Sequence, residues 1–301
     1  MFQTVLTNLI PMGIIMAIGV IARKLRLIND EISNGMTKIL INITLPAMLI
    51  MGMQREFSAE LLGGGLMVMA LFSVQILLSC GLGLLVARLL KLPKDRRGAF
   101  GASLAFGNVG FMGIPMIVAI FGDEALFYAA MAQLPFTLLL FSLGTGIMAQ
   151  KGVAKSKFRP NTPFVAILLG FVMFVVQLEI PNTMAITLNH LGGMTTPLSM
   201  LIIGAMIAKQ KPKQLVGDKT VLVLAMLKLI AVPAITWLAL VFFLQDTLAL
   251  GVLVILGALP TAVMVVMCAK ENMDASEYAS KAVFVTTVLC LATLPLISLI
   301  L

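Results

Sequence analysis

The 301-residue chain is 60% hydrophobic and only 11% charged, with a mean hydropathy of +1.08, which excludes a soluble globular domain. Its formal net charge of +8 raises the question of nucleic acid. The basic residues sit in short segments between apolar runs, so membrane topology accounts for them and the expected partner is the lipid bilayer, not nucleic acid.

Ten membrane spans are predicted, taken here in chain order. The first, 3–23, carries Pro11 and ends on Arg23-Lys24-Leu25-Arg26. Because Met1-Phe2-Gln3-Thr4 has no basic n-region, this span reads as an anchor, with no cleavable signal expected. The second, 33–53, holds Lys38, Asn42, Thr44 and Pro46, and the third, 61–88, holds Gln75 and Cys80. The fourth, 98–121, is interrupted by Gly107-Asn108-Val109-Gly110-Phe111-Met112-Gly113-Ile114-Pro115. The fifth, 124–148, contains Gln133 and leads into the joining segment Gln150 to Asn161. Spans six and seven are placed at 162–179 and 184–208, the latter with His190 and Thr195-Thr196-Pro197. The eighth, 219–244, contains Lys228; the ninth, 247–269, is interrupted at Gly257-Ala258-Leu259-Pro260-Thr261; the tenth is 278–300.

The connections alternate in charge. Arg23, Lys24 and Arg26 follow span one, and Arg88, Lys91, Lys94, Arg96 and Arg97 follow span three. Lys151, Lys155, Lys157 and Arg159 follow span five, Lys209, Lys211, Lys213 and Lys219 follow span seven, and Lys270 follows span nine. The opposite side carries Asp123, Glu124, Glu179 and Asp246, with Arg55 as its base. Positive loops stay in the cytoplasm, so both termini are expected outside.

A shift of about 150 residues lays Pro11 on Pro163, Met48-Leu49-Ile50 on Met200-Leu201-Ile202, Gly52 on Gly204 and Gly107 on Gly257. The same shift lays Ala125, Tyr128, Ala129, Ala132 and Thr137 on Ala275, Tyr278, Ala279, Ala282 and Thr287. The expectation is one transport unit made of two five-helix repeats, 1–150 and 151–301. Five spans is an odd number, so the second repeat enters the membrane inverted.

Proline and glycine interrupt a helix because proline lacks the backbone donor and glycine loosens the chain. Freed backbone groups survive in hydrocarbon only inside protein or beside water, and two breaks at matching positions mark a binding site. A half-helix N-terminus favours a carboxylate. Asn108 adds an amide and Thr261 a hydroxyl, while Gly110, Gly113 and Pro115 shape the first break and Pro260 the second. Thr44 with Pro46, and Thr196 with Pro197, either line the same cavity or form kinks whose hydroxyls bond their own backbone. Gln75 and Gln133 read as interhelical hydrogen-bonding groups before ligand groups. Lys38 and Lys228 read as snorkelling cations, with Lys38 the better candidate for an anion lure at the cytoplasmic mouth. All thirteen acidic residues map to loops or span ends. Cys80, Cys268 and Cys290 have no metal-ligand spacing, and His190 reads as an interfacial, solvated side chain. No metal or cofactor is expected, and sodium or proton remains open as coupling ion.

Asn108 to Pro115, Ala258-Leu259-Pro260, Ala269-Lys270-Glu271, Thr293-Leu294-Pro295-Leu296, and Leu45-Pro46-Ala47 after Lys38 resemble the auxin efflux carrier family. The resemblance covers essentially the whole chain. It implies ten helices in two inverted repeats with the broken fourth and ninth helices crossing, similar to the bile-acid sodium symporter fold, and elevator-type movement of spans four, five, nine and ten. Bacterial members of that family look like carriers of small organic anions such as malonate or malate. The expected function is therefore a secondary carrier of small carboxylates in a prokaryotic inner membrane, with a homodimer as a plausible assembly. The alternative is a sodium-coupled symporter of larger amphipathic acids. An enzyme is not expected, since no HExxH, GxSxG or acidic metal cluster is present.

Overall fold

The computed structural model describes residues 2–149, 160–209, 218–269 and 273–297. Lys151, Lys155, Lys157, Arg159, Lys211, Lys213 and the Lys270-Glu271 pair of the family resemblance lie outside the described residues. Among the described residues the regular structure is helical throughout. In chain order the helices are α1 (Phe2–Lys24), α2 (Asp30–Ile39), α3 (Leu45–Met53), α4 (Ala59–Leu89), α5 (Lys94–Ala105), α6 (Ile114–Phe121), α7 (Leu126–Leu139) and α8 (Thr145–Met148). Then follow α9 (Thr162–Val176), α10 (Asn182–Gly193), α11 (Thr195–Lys209), α12 (Lys219–Met226), α13 (Val232–Leu240), α14 (Thr247–Ala258), α15 (Val263–Cys268) and α16 (Met273–Ile297).

Several helices join end to end into longer stretches. Among the described residues six stretches, four of them so joined, are long and apolar enough to cross a membrane: Asp30–Met53, Ala59–Leu89, Asp123–Met148, Asn182–Lys209, Lys219–Leu240 and Ala275–Ile297. Val109–Phe121, Thr162–Val176 and Thr247–Ala258 are apolar but shorter. Three of the joints have a common cause, whereas the π segment Leu140–Gly144 is followed by Thr145 and Gly146 and has no such proline. The π segments Leu40–Thr44, Val109–Gly113 and Leu227–Ala231 each stand two residues ahead of a proline: Pro46, Pro115 and Pro233. A proline ring collides with the carbonyl four residues back and offers it no donor. Widening the turn relieves this: Leu45 N donates to Leu40 O and Val232 N to Leu227 O, each five residues back.

Two compact units are distinguished. One comprises Met1–Met67, Gly110–Leu134 and Pro160–Gln210. Within it α1 lies against α11 so closely that a Cβ on Gly19 would strike Leu201 O, and one on Gly204 would strike Met16 O. Small residues permit such an approach, which is how membrane helices gain packing without a hydrophobic driving force. Phe174 stacks obliquely against Phe57 and Phe127, with ring centroids 5.5 and 4.9 Å away. At one end of α1 and α11, Asp30 accepts from Arg23 Nη2 at 2.6 Å and from Lys209 Nζ at 3.0 Å.

The other unit comprises Val68–Val109, Pro135–Arg159 and Lys211–Leu301. Its centre is α14, where every residue from Ala249 to Ala258 is buried, as expected of a helix apolar all round. The C-terminal two turns of α5, Gly98 to Ala105, are buried as well. Helix α16 covers both, and Tyr278 stacks on Phe100 at 6.3 Å while its hydroxyl lies 3.1 Å from Thr220 Oγ1.

Candidate functional site: the paired interruptions

The first interruption begins where α5 ends. Phe106 is extended (φ −97°, ψ 105°) and the helix resumes only at Val109. The second begins where α14 ends, with Leu259 (φ −65°, ψ 146°) and Ala262 (φ −68°, ψ 136°) extended around Pro260 and Thr261. The two breaks satisfy each other. Gly107 and Thr261 form an antiparallel bridge, Asn108 N donates to Pro260 O at 2.8 Å, and Ala262 N donates to Phe106 O at 2.9 Å. In a bilayer an exposed backbone group has no water to bond, so each break supplies the partners that the other lacks.

Side chains reinforce the pairing. Thr261 donates through Oγ1 to Ser103 O at 3.0 Å, and its own amide donates to Thr286 Oγ1 at 3.0 Å. The Thr286 hydroxyl in turn donates to Ala282 O at 2.7 Å. Gly107 has no room for a side chain: a Cβ there would stand 3.0 Å from Leu259 Cβ and 3.3 Å from Leu256 O. Thr261 is fully buried, Asn108 is 4% exposed, and Pro260 is buried beside them. The structure therefore brings Asn108, Pro260 and Thr261 together, with the hydrogen bonds of Thr261 spent on protein.

Two long donors from other helices reach these broken ends. Lys228 is 2% exposed, and its Nζ donates to Leu104 O at 2.7 Å and Ala105 O at 3.4 Å, the last carbonyls of α5. Snorkelling is thus the wrong reading for Lys228: the π segment Leu227–Ala231 aims it into protein, where helix-end carbonyls replace water. A lysine at the bilayer centre costs about 2.5–3.5 kcal/mol on insertion scales, which those carbonyls offset. Among the described residues it is the buried ionisable amine, and no carboxylate is buried. Gln75 behaves similarly. Its Nε2 donates to Thr236 Oγ1 at 2.8 Å and Leu253 O at 3.4 Å, and a Cβ on Gly257 would strike that nitrogen. Gln75 is thus an interhelical hydrogen-bonding group.

The remaining candidates lie in the first unit. Gly110, Gly113 and Pro115 are buried, and Gly110 faces Leu45, whose Cδ2 lies 3.4 Å from where a Cβ would stand. Thr44 is buried and its Oγ1 donates to Leu40 O at 3.4 Å, while Asn42 Nδ2 donates to Lys38 O at 2.9 Å. Span two is therefore a kink whose carbonyls are served locally, with Pro46 buried at its centre and Asn42 Oδ1 accepting from Thr162 Oγ1 at 2.6 Å. Lys38, His190 and Pro197 are exposed and Thr196 half-buried; Thr195 is the buried threonine of its pair, and its hydroxyl has no hydrogen-bond partner. Gln133 is buried. The sequence reading missed Ser103, whose fully buried hydroxyl is also without a partner, and Thr286. A serine four residues before a glycine-rich break, and paired threonines in an apolar helix, were the signals available.

Among the described residues no group of three or more His, Cys, Asp or Glu is placed to hold a metal ion. Long apolar helices, two interruptions that complete each other and buried polar groups at the crossing define an integral membrane protein of the transporter class. A family model described as "Membrane transport protein" matches residues 4–160 and 148–298, nearly the whole chain. The chain belongs to that family, the auxin efflux carrier family of membrane transporters, and is a transporter, not an enzyme. It is 27% identical to an "Uncharacterized transporter" of Methanothermobacter thermautotrophicus, over 99% of this chain and 98% of the relative. A second "Uncharacterized transporter", of Methanocaldococcus jannaschii, is 26% identical over 96% and 98%. A "Putative malonate transporter" of Rhizobium meliloti is 25% identical over 64% of this chain and 63% of the relative.

Proposed function

We propose that this protein is a secondary carrier of small carboxylates such as malonate or malate, working by elevator-type alternating access. In this reading ten spans form two inverted five-helix repeats, 1–150 and 151–301, whose fourth and ninth helices cross. The single observation that carries it is the antiparallel pairing of Gly107 with Thr261, because two mutually completing breaks are how a carrier keeps non-helical backbone at membrane depth. The printed name of the Rhizobium meliloti relative supports the substrate class.

The anion is held by Asn108, with Ser103 Oγ as a further donor and the helix starting at Val109 contributing its positive end through Gly110 and Gly113. Pro115, Pro260 and Thr261 fix the crossing; Thr44, Pro46, Thr196 and Pro197 shape the approach, and exposed Lys38 draws anions toward it. In this reading the protein sits in a prokaryotic inner membrane, and the basic connections support both termini lying outside.

The test is thermal unfolding of the purified protein with malonate, malate and larger amphipathic acids, in wild type and Asn108→Ala. A ligand at a hundred times its dissociation constant stabilises the native state by about 2.7 kcal/mol. Wild type is expected to respond to a small carboxylate and Asn108→Ala, still folded, to lose the response. An unchanged response in the variant would remove Asn108 from the site, and a response to bulky acids alone would overturn the substrate class.

A further inference from the structure

The donors at the two breaks differ in one respect. Each comes from a helix remote in sequence and meets a broken helix beside its glycine: Gln75 at Leu253 and Gly257, Lys228 at Leu104 and Gly107. The 150-residue shift that lays Gly107 on Gly257 lays position 78 on Lys228, one helical turn from Gln75 on the same face. One break therefore receives a glutamine amide and the other a lysine Nζ.

We propose that the carbonyl end of α5 is a monovalent-cation site which the chain fills with its own Lys228 ammonium, so that no dissociable sodium is needed there. A helix C-terminus carries roughly half a negative charge, and in secondary carriers such half-helix ends coordinate coupling cations. Here the two terminal carbonyls already hold Nζ at 2.7 and 3.4 Å. Gly107 lies beside that nitrogen, a Cβ there standing in ordinary contact with it at 3.6 Å. With no buried carboxylate among the described residues, the carbonyls are the ammonium's counter-dipole, and a free cation would compete with it for the same oxygens. The inference deepens the carrier reading and rests on it only for the consequence that transport is independent of sodium.

The experiment is thermal unfolding of the full-length purified protein without substrate, in sodium, methylammonium or choline chloride at equal ionic strength. Wild type is expected to show one midpoint in all three. Lys228→Ala is expected to unfold several degrees lower in choline and to recover part of that loss in methylammonium or sodium. A wild-type midpoint raised by sodium over choline overturns the proposal, as does a folded Lys228→Ala protein indifferent to every cation. Should Lys228→Ala yield no folded protein, Lys228→Gln, which keeps a donor without the charge, is expected to be folded but less stable; equality with wild type would overturn the need for a cation. None of these readings involves a carboxylate, so they stand apart from failure of the substrate assignment. Uptake of labelled malonate by proteoliposomes, with sodium or choline outside, then tests the coupling consequence, and sodium-dependent uptake would refute it.

Discussion

The kink in span two and the crossing of the two interruptions are both marked by proline, yet their backbone groups are satisfied in different ways. At the kink the partners of the backbone carbonyls are local: Leu45 N and Thr44 Oγ1 both reach Leu40 O, and Asn42 Nδ2 reaches Lys38 O, while the one remote bond, from Thr162 Oγ1 to Asn42 Oδ1 at 2.6 Å, joins two side chains. At the crossing the partners are remote: Asn108 N with Pro260 O, Ala262 N with Phe106 O, and Thr261 Oγ1 with Ser103 O. A kink of the first kind needs no second break to satisfy its backbone. At the crossing neither break is complete without the other, so the two segments are tied together. That difference makes the crossing, and not every proline-marked bend, the place where substrate chemistry is to be sought.

The strongest way to break this comparison is to force the crossing apart. Gly257 has the Gln75 amide where a side chain would begin, so Gly257→Leu is expected to cost about 3 kcal/mol, the upper range for overpacking a close contact. Thermal unfolding reads the loss, and adding Gln75→Ala is expected to return part of it. A Gly257→Leu protein with an unchanged midpoint would show that the packing around α14 is not as tight as described.

A smaller effect is expected from Thr261→Val, which keeps the shape and removes the hydroxyl. Ser103 O then loses its donor in a buried place, at about 1–3 kcal/mol, while the backbone bridge with Gly107 persists. The midpoint should fall with the cooperativity of unfolding unchanged. A neutral result would assign the whole of the crossing's stability to its backbone bonds.

Both interruptions and the kink were legible in the sequence, because glycine and proline announce where a helix cannot continue. The apolar runs also foretold the helix limits to within a few residues: 33–53 against Asp30–Met53, and 61–88 against Ala59–Leu89. Partners were not legible where the acceptor is a backbone carbonyl. Lys228 lies 124 residues from Leu104, and nothing in the run Leu227-Lys228-Leu229 says which carbonyls the ammonium meets. Snorkelling was a fair inference from depth alone; the π turn that precedes Pro233 redirects the side chain. The prolines at 46 and 115 were read as a kink and a break, but Pro233, which stands in the same relation to the π segment holding Lys228, was not. Thr261 was recognised as polar at the break, but its service to Ser103 O required the crossing itself.

The smallest expected effect sharpens the comparison from the other side. Thr44 is 1% exposed, and its hydroxyl makes a long 3.4 Å bond to a carbonyl that already accepts from Leu45 N. Thr44→Val is isosteric and leaves that carbonyl partnered, so the cost should be about 0.5 kcal/mol, the low end for a hydrogen bond. Thermal unfolding of this variant beside Thr261→Val gives the ratio that the two kinds of irregularity imply. Equal costs would mean that the kink is held by more than its own backbone. If instead Thr44→Val keeps its stability and loses the malonate response, the threonine acts on the substrate and not on the fold.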